Sequence, residues 1–110
     1  SAISKEGEDI LKKLSMLKND TNYVISLCIE GKEMSTISFH DKISVLLLNG
    51  VSQIIFIIGG SYGLSDDVKK NSNLLLSFSK LTFPHQLFRV FLLEQIYRIF
   101  KIEKNEPYHK

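Results

Sequence analysis

The sequence predicts an α/β fold organised around a parallel sheet, and three observations carry that expectation. Segments with helical spacing of apolar residues alternate with short apolar runs in the order α-β-α-β-α-β-α, the pattern of a parallel sheet flanked by helices. The runs at residues 23–29, 53–58 and 74–78 are almost continuously apolar, as strands covered on both faces are. Loop-like segments follow each run, at residues 30–32, 59–63 and 79–84. In an open parallel sheet these positions lie beyond the carboxyl ends of the strands, where ligands bind.

In order along the chain, residues 4–18 read as an amphipathic helix. Ser4 is the expected N-cap, and Ile10, Leu11, Leu14 and Leu17 fall on one side. Asn19-Asp20-Thr21-Asn22 is a turn before the first strand. Glu30-Gly31-Lys32-Glu33 reads as the loop that ends that strand. Ser35 or Thr36 opens a second helix through Phe39, Ile43, Val45, Leu46 and Leu47, which stops at Asn49-Gly50. The second strand has Ile-Ile-Phe-Ile-Ile at its heart and runs into Gly59-Gly60-Ser61-Tyr62-Gly63. Ser65 caps a short helix whose first residues, Asp66 and Asp67, suit the positive end of its dipole.

The last helix is unusual. Thr82 can cap it and Pro84 suits its first turn, where a missing N–H is harmless. Beyond them Leu87, Phe88, Val90, Phe91, Leu92, Leu93, Ile96, Tyr97, Ile99, Phe100 and Ile102 cover most of the circumference. A surface helix shows one apolar stripe. This one is either the central helix of a monomer core or shared between a core and a subunit interface, with Phe88, Leu92 and Phe100 as candidates to face a partner.

Composition sets the bounds. The chain has 110 residues, 44% of them hydrophobic, which suits a single domain over residues 1–110. One cysteine, Cys28, excludes a disulfide framework and fits a reducing compartment. No apolar run reaches the length of a membrane span and no signal peptide opens the sequence, so a cytosolic protein is expected. The net charge of +2 does not announce a nucleic-acid binder. The basic excess is C-terminal, where Lys80, Arg89, Arg98, Lys101, Lys104 and Lys110 outnumber Glu94, Glu103 and Glu106. On charge alone a solvated helix face explains it equally well.

Few residues announce chemistry by themselves. Gly59-Gly60-Ser61-Tyr62-Gly63 ends a strand and precedes a helix, so a ligand can approach its backbone closely. It is neither the dinucleotide fingerprint nor a phosphate-binding loop, and a tight turn with no ligand explains it equally well. No nucleophile-elbow spacing surrounds Ser61 or Ser65. His40, His85, His109 and Cys28 give no recognised metal-ligand spacing, and no metal is expected. Cys28 falls in a buried-strand pattern as an inert thiol, and His40 reads as a surface residue. Tyr108-His109 stands out, because a polar terminal tail seldom needs an aromatic ring beside an imidazole.

Four ordered motifs then make a family resemblance specific. They are Leu27-Cys28-Ile29-Glu30-Gly31-Lys32, the segment from Phe56 through Gly59-Gly60-Ser61-Tyr62-Gly63-Leu64 to Ser65, the signature Leu81-Thr82-Phe83-Pro84-His85 with Arg89-Val90, Glu94-Gln95 and Tyr97-Arg98, and Asn105-Glu106-Pro107-Tyr108-His109. In order and spacing, over nearly the whole chain, they resemble the SPOUT methyltransferases, and within them the subgroup that modifies large-subunit ribosomal RNA.

The resemblance implies an α/β sheet with a deep C-terminal trefoil knot, a homodimer whose site is completed across the interface, and S-adenosylmethionine as cofactor. It implies methylation of N3 of a pseudouridine in 23S rRNA on the assembled ribosome. Carried over by motif, Leu27, Gly60, Ser79, Lys80, Leu81, Thr82, Phe83 and Pro84 would hold S-adenosylmethionine. Arg89, Tyr108 and His109 would sit near the target base, with His109 as candidate base for the N3 proton and Arg89 or Arg98 available to phosphate.

Three departures qualify the transfer. Cys28 stands where the family has Asp, so a carboxylate role there is lost or moved to Glu30. Ser61-Tyr62 replaces a Pro-x pair. The family chain also begins upstream with a further strand and helix, and without them an apolar sheet edge is expected to be exposed and RNA contacts to be lost. A catalytically inactive, dimeric RNA- or ribosome-binding remnant of the same family is the alternative reading.

Overall fold

The structure, a computed structural model, describes residues 2–17, 21–59, 64–78 and 85–103. The elements are α1 (Ala2–Leu17), β1 (Asn22–Glu33), α2 (Thr36–Leu48), β2 (Gln53–Ile58), α3 (Asp66–Lys70), β3 (Leu74–Ser77) and α4 (His85–Glu103). The three strands form a parallel sheet in the order β2-β1-β3. The expected α/β class and strand alternation are both present.

The first strand in sequence is the central one in space. Val24, Ile25 and Ser26 of β1 are fully shielded from solvent, so the unbroken apolar run has the two-sided cover it predicts. Successive side chains point to opposite faces. Val24, Ile55 and Ile57 face one helical layer and meet Leu14 of α1, Val68 of α3 and Leu64. Ile25, Ile54 and Phe56 face the other and meet Phe39 of α2 and Ile99 of α4. Phe39 and Phe56 contact edge to face, with ring centroids 6.3 Å apart. The sheet therefore carries α1 and α3 on one side and α2 and α4 on the other.

Local chemistry fixes the helix ends. The Ser35 hydroxyl accepts from the Ser38 N–H at 3.1 Å and caps α2. Gly50, at φ +90, ends it just past the C-cap Asn49. The Ser65 hydroxyl accepts from the Val68 N–H at 3.3 Å and caps α3. Asp66 and Asp67 in its first turn and Lys69 and Lys70 in its last both complement the dipole. Ser4 is not a cap, because α1 already runs from Ala2. Asn73 clips the start of β3 to β1: its side-chain oxygen accepts from the Val24 N–H at 2.7 Å, and its own N–H donates to the Val24 carbonyl at 2.8 Å.

One segment departs from the sequence reading. Residues 30–33 are not a loop that ends β1, because the strand continues to Glu33. Along β3 the register pairs Leu27 with Leu76, then Lys32 with the same Leu76, and Glu33 with Ser77. Residues 28–31 thus leave the ladder and return to it. Gly31 makes the return possible: a Cβ there would lie 2.7 Å from the Leu75 carbonyl carbon and 2.8 Å from the Leu76 nitrogen. Backbone atoms cannot yield as a flexible side chain does. Gly31→Ala is therefore expected to lower stability by about 1–3 kcal/mol, the range for overpacking a tight site. Chemical denaturation measures it, and an unchanged midpoint and slope would show that the close approach does not exist.

Candidate functional site

The carboxyl ends of β2 and β3 meet β1 at Leu27, midway along that strand. Its register partners are Ile58 at the end of β2 and Leu76 in β3. Leu27 is half-buried and packs against the core cluster of Ile25, Phe39, Leu76 and Ile99. Gly59, directly after β2, is buried, and Phe78, directly after β3, is half-buried. Of the expected cofactor residues, Leu27 stands at this junction. Gly60, Ser79, Lys80, Leu81, Thr82, Phe83 and Pro84 lie outside the described residues, as do Tyr108 and His109. The described residues nearest to those segments are Gly59 and Leu64 for one, and Phe78 and the start of α4 for the other.

A cavity of about 240 Å³ opens between the start of α2 and the middle of α4, lined among others by Ser35, Thr36, Phe39, Phe78, Phe91 and Gln95. A hydrogen-bonded series runs beside it. The Thr36 hydroxyl donates to Gln95 Oε1 at 2.7 Å, and Gln95 Nε2 donates to Glu94 Oε2 at 3.1 Å. Arg98 donates to Glu94 Oε1 through Nη2 at 2.6 Å and Nε at 3.1 Å. Arg98, one of two candidates for a phosphate, is thus engaged with a carboxylate on its own helix. Arg89, the other, is exposed near the start of α4.

Several side chains differ from expectation. Leu92, a candidate to face a partner, is only 5% exposed and belongs to the interior of this chain, as does Ile99. Phe100 is 56% exposed, and the Phe88 side chain is not among those described. His40 is half-buried at the surface, its side chain 16% exposed and 3.1 Å from Asp41 Oδ1. Cys28 is half-buried, at the start of the excursion between Leu27 and Lys32. Among the described residues no three His, Cys, Asp or Glu side chains gather as a metal ion would require. No described helix is long and apolar enough to cross a membrane.

Glu30, the candidate heir to the missing aspartate, is paired with Lys69 of α3. Sequence reasoning does not reach Lys69, because the contact spans two separate elements. The hydrogen bond that Lys69 donates to Glu30 holds its ammonium above the ordinary pKa of 10.5, partly offset by burial and aided by the field of Glu30, Cys28 and Asp66. A pKa raised on folding means that the folded chain holds this proton more tightly than the unfolded one. The stability so gained is complete below the unfolded pKa and is lost as pH rises through the folded one. As pH rises above the ordinary lysine value of 10.5, the native chain should lose more stability than Lys69→Met. Parallel pH profiles in chemical denaturation would show that the pair contributes nothing.

Comparison with known proteins meets this geometry from another direction. Residues 1–109 match the family model described as predicted SPOUT methyltransferase. The chain is similar to proteins named ribosomal RNA large subunit methyltransferase H. It is 52% identical over 110 residues to that of Acholeplasma laidlawii, covering 100% of this chain and 72% of the relative. It is 55% identical over 106 residues to that of Bacillus cytotoxicus, covering 96% and 64%. For the Streptococcus thermophilus relative the identity is 52% over 108 residues, covering 98% and 65%. The chain thus spans less than two thirds of the length of the latter two. With the parallel sheet and the junction at Leu27, the match over residues 1–109 establishes that this chain belongs to the SPOUT methyltransferase family.

Proposed function

We propose that the chain carries an S-adenosylmethionine-dependent methyltransferase that acts on N3 of a pseudouridine in 23S rRNA of the assembled ribosome. The observation that carries this reading is its similarity, across almost its whole length, to relatives named as methyltransferases of large-subunit ribosomal RNA. The family's trefoil knot and a single domain over residues 1–110 belong to the same proposal, as does a cytoplasmic location beside the ribosome.

The residues at the sheet's carboxyl end suit the cofactor. Leu27 and Phe78 offer apolar surface, and buried Gly59 lets a ligand meet backbone. Leu27, Gly60 and the residues Ser79, Lys80, Leu81, Thr82, Phe83 and Pro84 would hold S-adenosylmethionine. When bound, the cofactor supplies an electrophilic methyl group on sulfonium sulfur. The protein's part is orientation. Arg89 contacts RNA phosphate, Tyr108 positions the base, and His109 accepts the N3 proton so that the nitrogen pair becomes available.

The second half of the proposal is a homodimer through α4. Val90, Leu93, Tyr97 and Phe100 are exposed and recur at alternating intervals of three and four, the spacing of a helix–helix seam. Leu92 and Ile99 occupy the opposite, inward stripe. Lys101 covers the Tyr97 ring at 5.1 Å and leaves the seam otherwise apolar.

Two experiments test the proposal. Calorimetry with S-adenosylhomocysteine should find one site per chain. Labelled methyl groups should enter whole ribosomes and fall by about 10²–10⁴ in rate when residues 108–110 are removed, the effect of losing an acid–base group. Binding of ribosomes without cofactor binding would favour the inactive remnant. For the dimer, Leu93→Glu places a charge in the seam and should yield monomers in sedimentation. A native chain that sediments as a monomer at micromolar concentration would end that part of the proposal.

A further inference from the structure

The excursion at residues 28–31 leaves the β3 ladder at Leu27, rejoins it at Lys32, and uses Leu76 at both points. Four residues are thereby fixed outside the regular pairing with that strand, and ordering each costs about 1–2 kcal/mol of backbone entropy. Glu30 within it is paired with Lys69 of α3. That helix has only five residues, too short to hold itself together without tertiary support. Val68 anchors it inward with no exposure, and buried Leu64 joins the same cluster. Its N-cap Ser65 lies under α1, where a Cβ on Gly7 would come within 2.8 Å of Ser65 Cβ. The next residue after Val68 turns the other way, to Glu30.

The placement matters because of the segments on either side. Leu27, the residue before the excursion, pairs with the last residue of β2 and with Leu76 near the end of β3. Leu64, just before the α3 cap, and Gly59, just after β2, flank residues 60–63. An ion pair between the excursion and α3 therefore ties together the two polypeptide segments that border the site. We infer that Glu30 and Lys69 are positioning residues: their ion pair latches the β1 excursion to α3 and so sets where Leu64, at the entry to α3, stands relative to Leu27 for cofactor binding. This inference rests on the cofactor reading above. The pair is part-exposed, so salt weakens the latch by screening it.

The test is S-adenosylhomocysteine affinity at low and high salt for the native chain, Lys69→Met, Glu30→Gln and the exchanged pair Glu30→Lys with Lys69→Glu. A part-exposed pair contributes up to about 1 kcal/mol, so each single change should weaken binding by up to about fivefold at low salt. Dimerisation should hardly move, and the melting temperature should fall by no more than about 4–8 °C. The exchanged pair should recover most of the loss, and high salt should bring the native affinity to that of the single variants. Amide exchange at residues 28–31 should quicken in both single variants and stay unchanged at Val24 and Ile25. Single variants that bind as the native chain does would overturn the latch and leave the cofactor reading standing. A loss that tracks the melting temperature and is not recovered by exchange would overturn it in favour of a purely structural pair. Native protein that binds no cofactor analogue would overturn the cofactor reading, and the latch with it.

Discussion

The backbone-on-backbone contact of Gly31 with the peptide joining Leu75 to Leu76 shapes the carboxyl end of the sheet. It lets β1 come back to the residue that it left, so that Leu27 and Lys32 share Leu76. The entry to α2 depends on that return. Met34 and Ser35 lead into the helix beside β3, and the cavity between α2 and α4 is lined by Phe39 and Leu76 as well. A side chain at position 31 would push β1 and β3 apart, with three strands among the described residues to share the strain.

The same region shows how far the sequence can be read. The segment from Gln53 to Ile58 is a strand because β-branched residues fit a pleated, covered surface. Ser35 and Ser65 start helices because a hydroxyl serves an unpaired N–H in either context. These signals are local. Glu30-Gly31-Lys32-Glu33 has the composition of a turn, yet lies in β1 because β3 supplies pairing partners far away in sequence. Leu27 could be placed from its motif, while Lys69 carries no motif and acquires meaning only from the element opposite. The periodicity of α4 announces two apolar sides without saying which is which. Packing assigns Leu92 and Ile99 to the interior and leaves Leu93 and Phe100 outside.

That two-sidedness limits what α4 can tolerate. Its inward stripe is held by the core, and its flank is tied to α2 through the Thr36 hydroxyl and Gln95. Glu94 serves both Gln95 and Arg98, so the polar flank is a connected series in which loss of one member strands the next. The helix is fixed in rotation by these contacts before any partner arrives. An outward face held in this way has its backbone ordered already, so covering it costs no further backbone ordering.

The strand order has a consequence for how the chain is made. β1 precedes both of its neighbours in sequence, yet sits between them. It must wait for β2, 31 residues later by the Thr21–Ser52 contact, and for β3, 49 residues later by the Val24–Asn73 contact. Loops of such span close slowly, and few native contacts stabilise the chain until they do. During synthesis β1 therefore emerges before either of the neighbours that pair with it in this sheet. It is in this interval, rather than in the finished fold, that the protein is most exposed to mispairing with another chain.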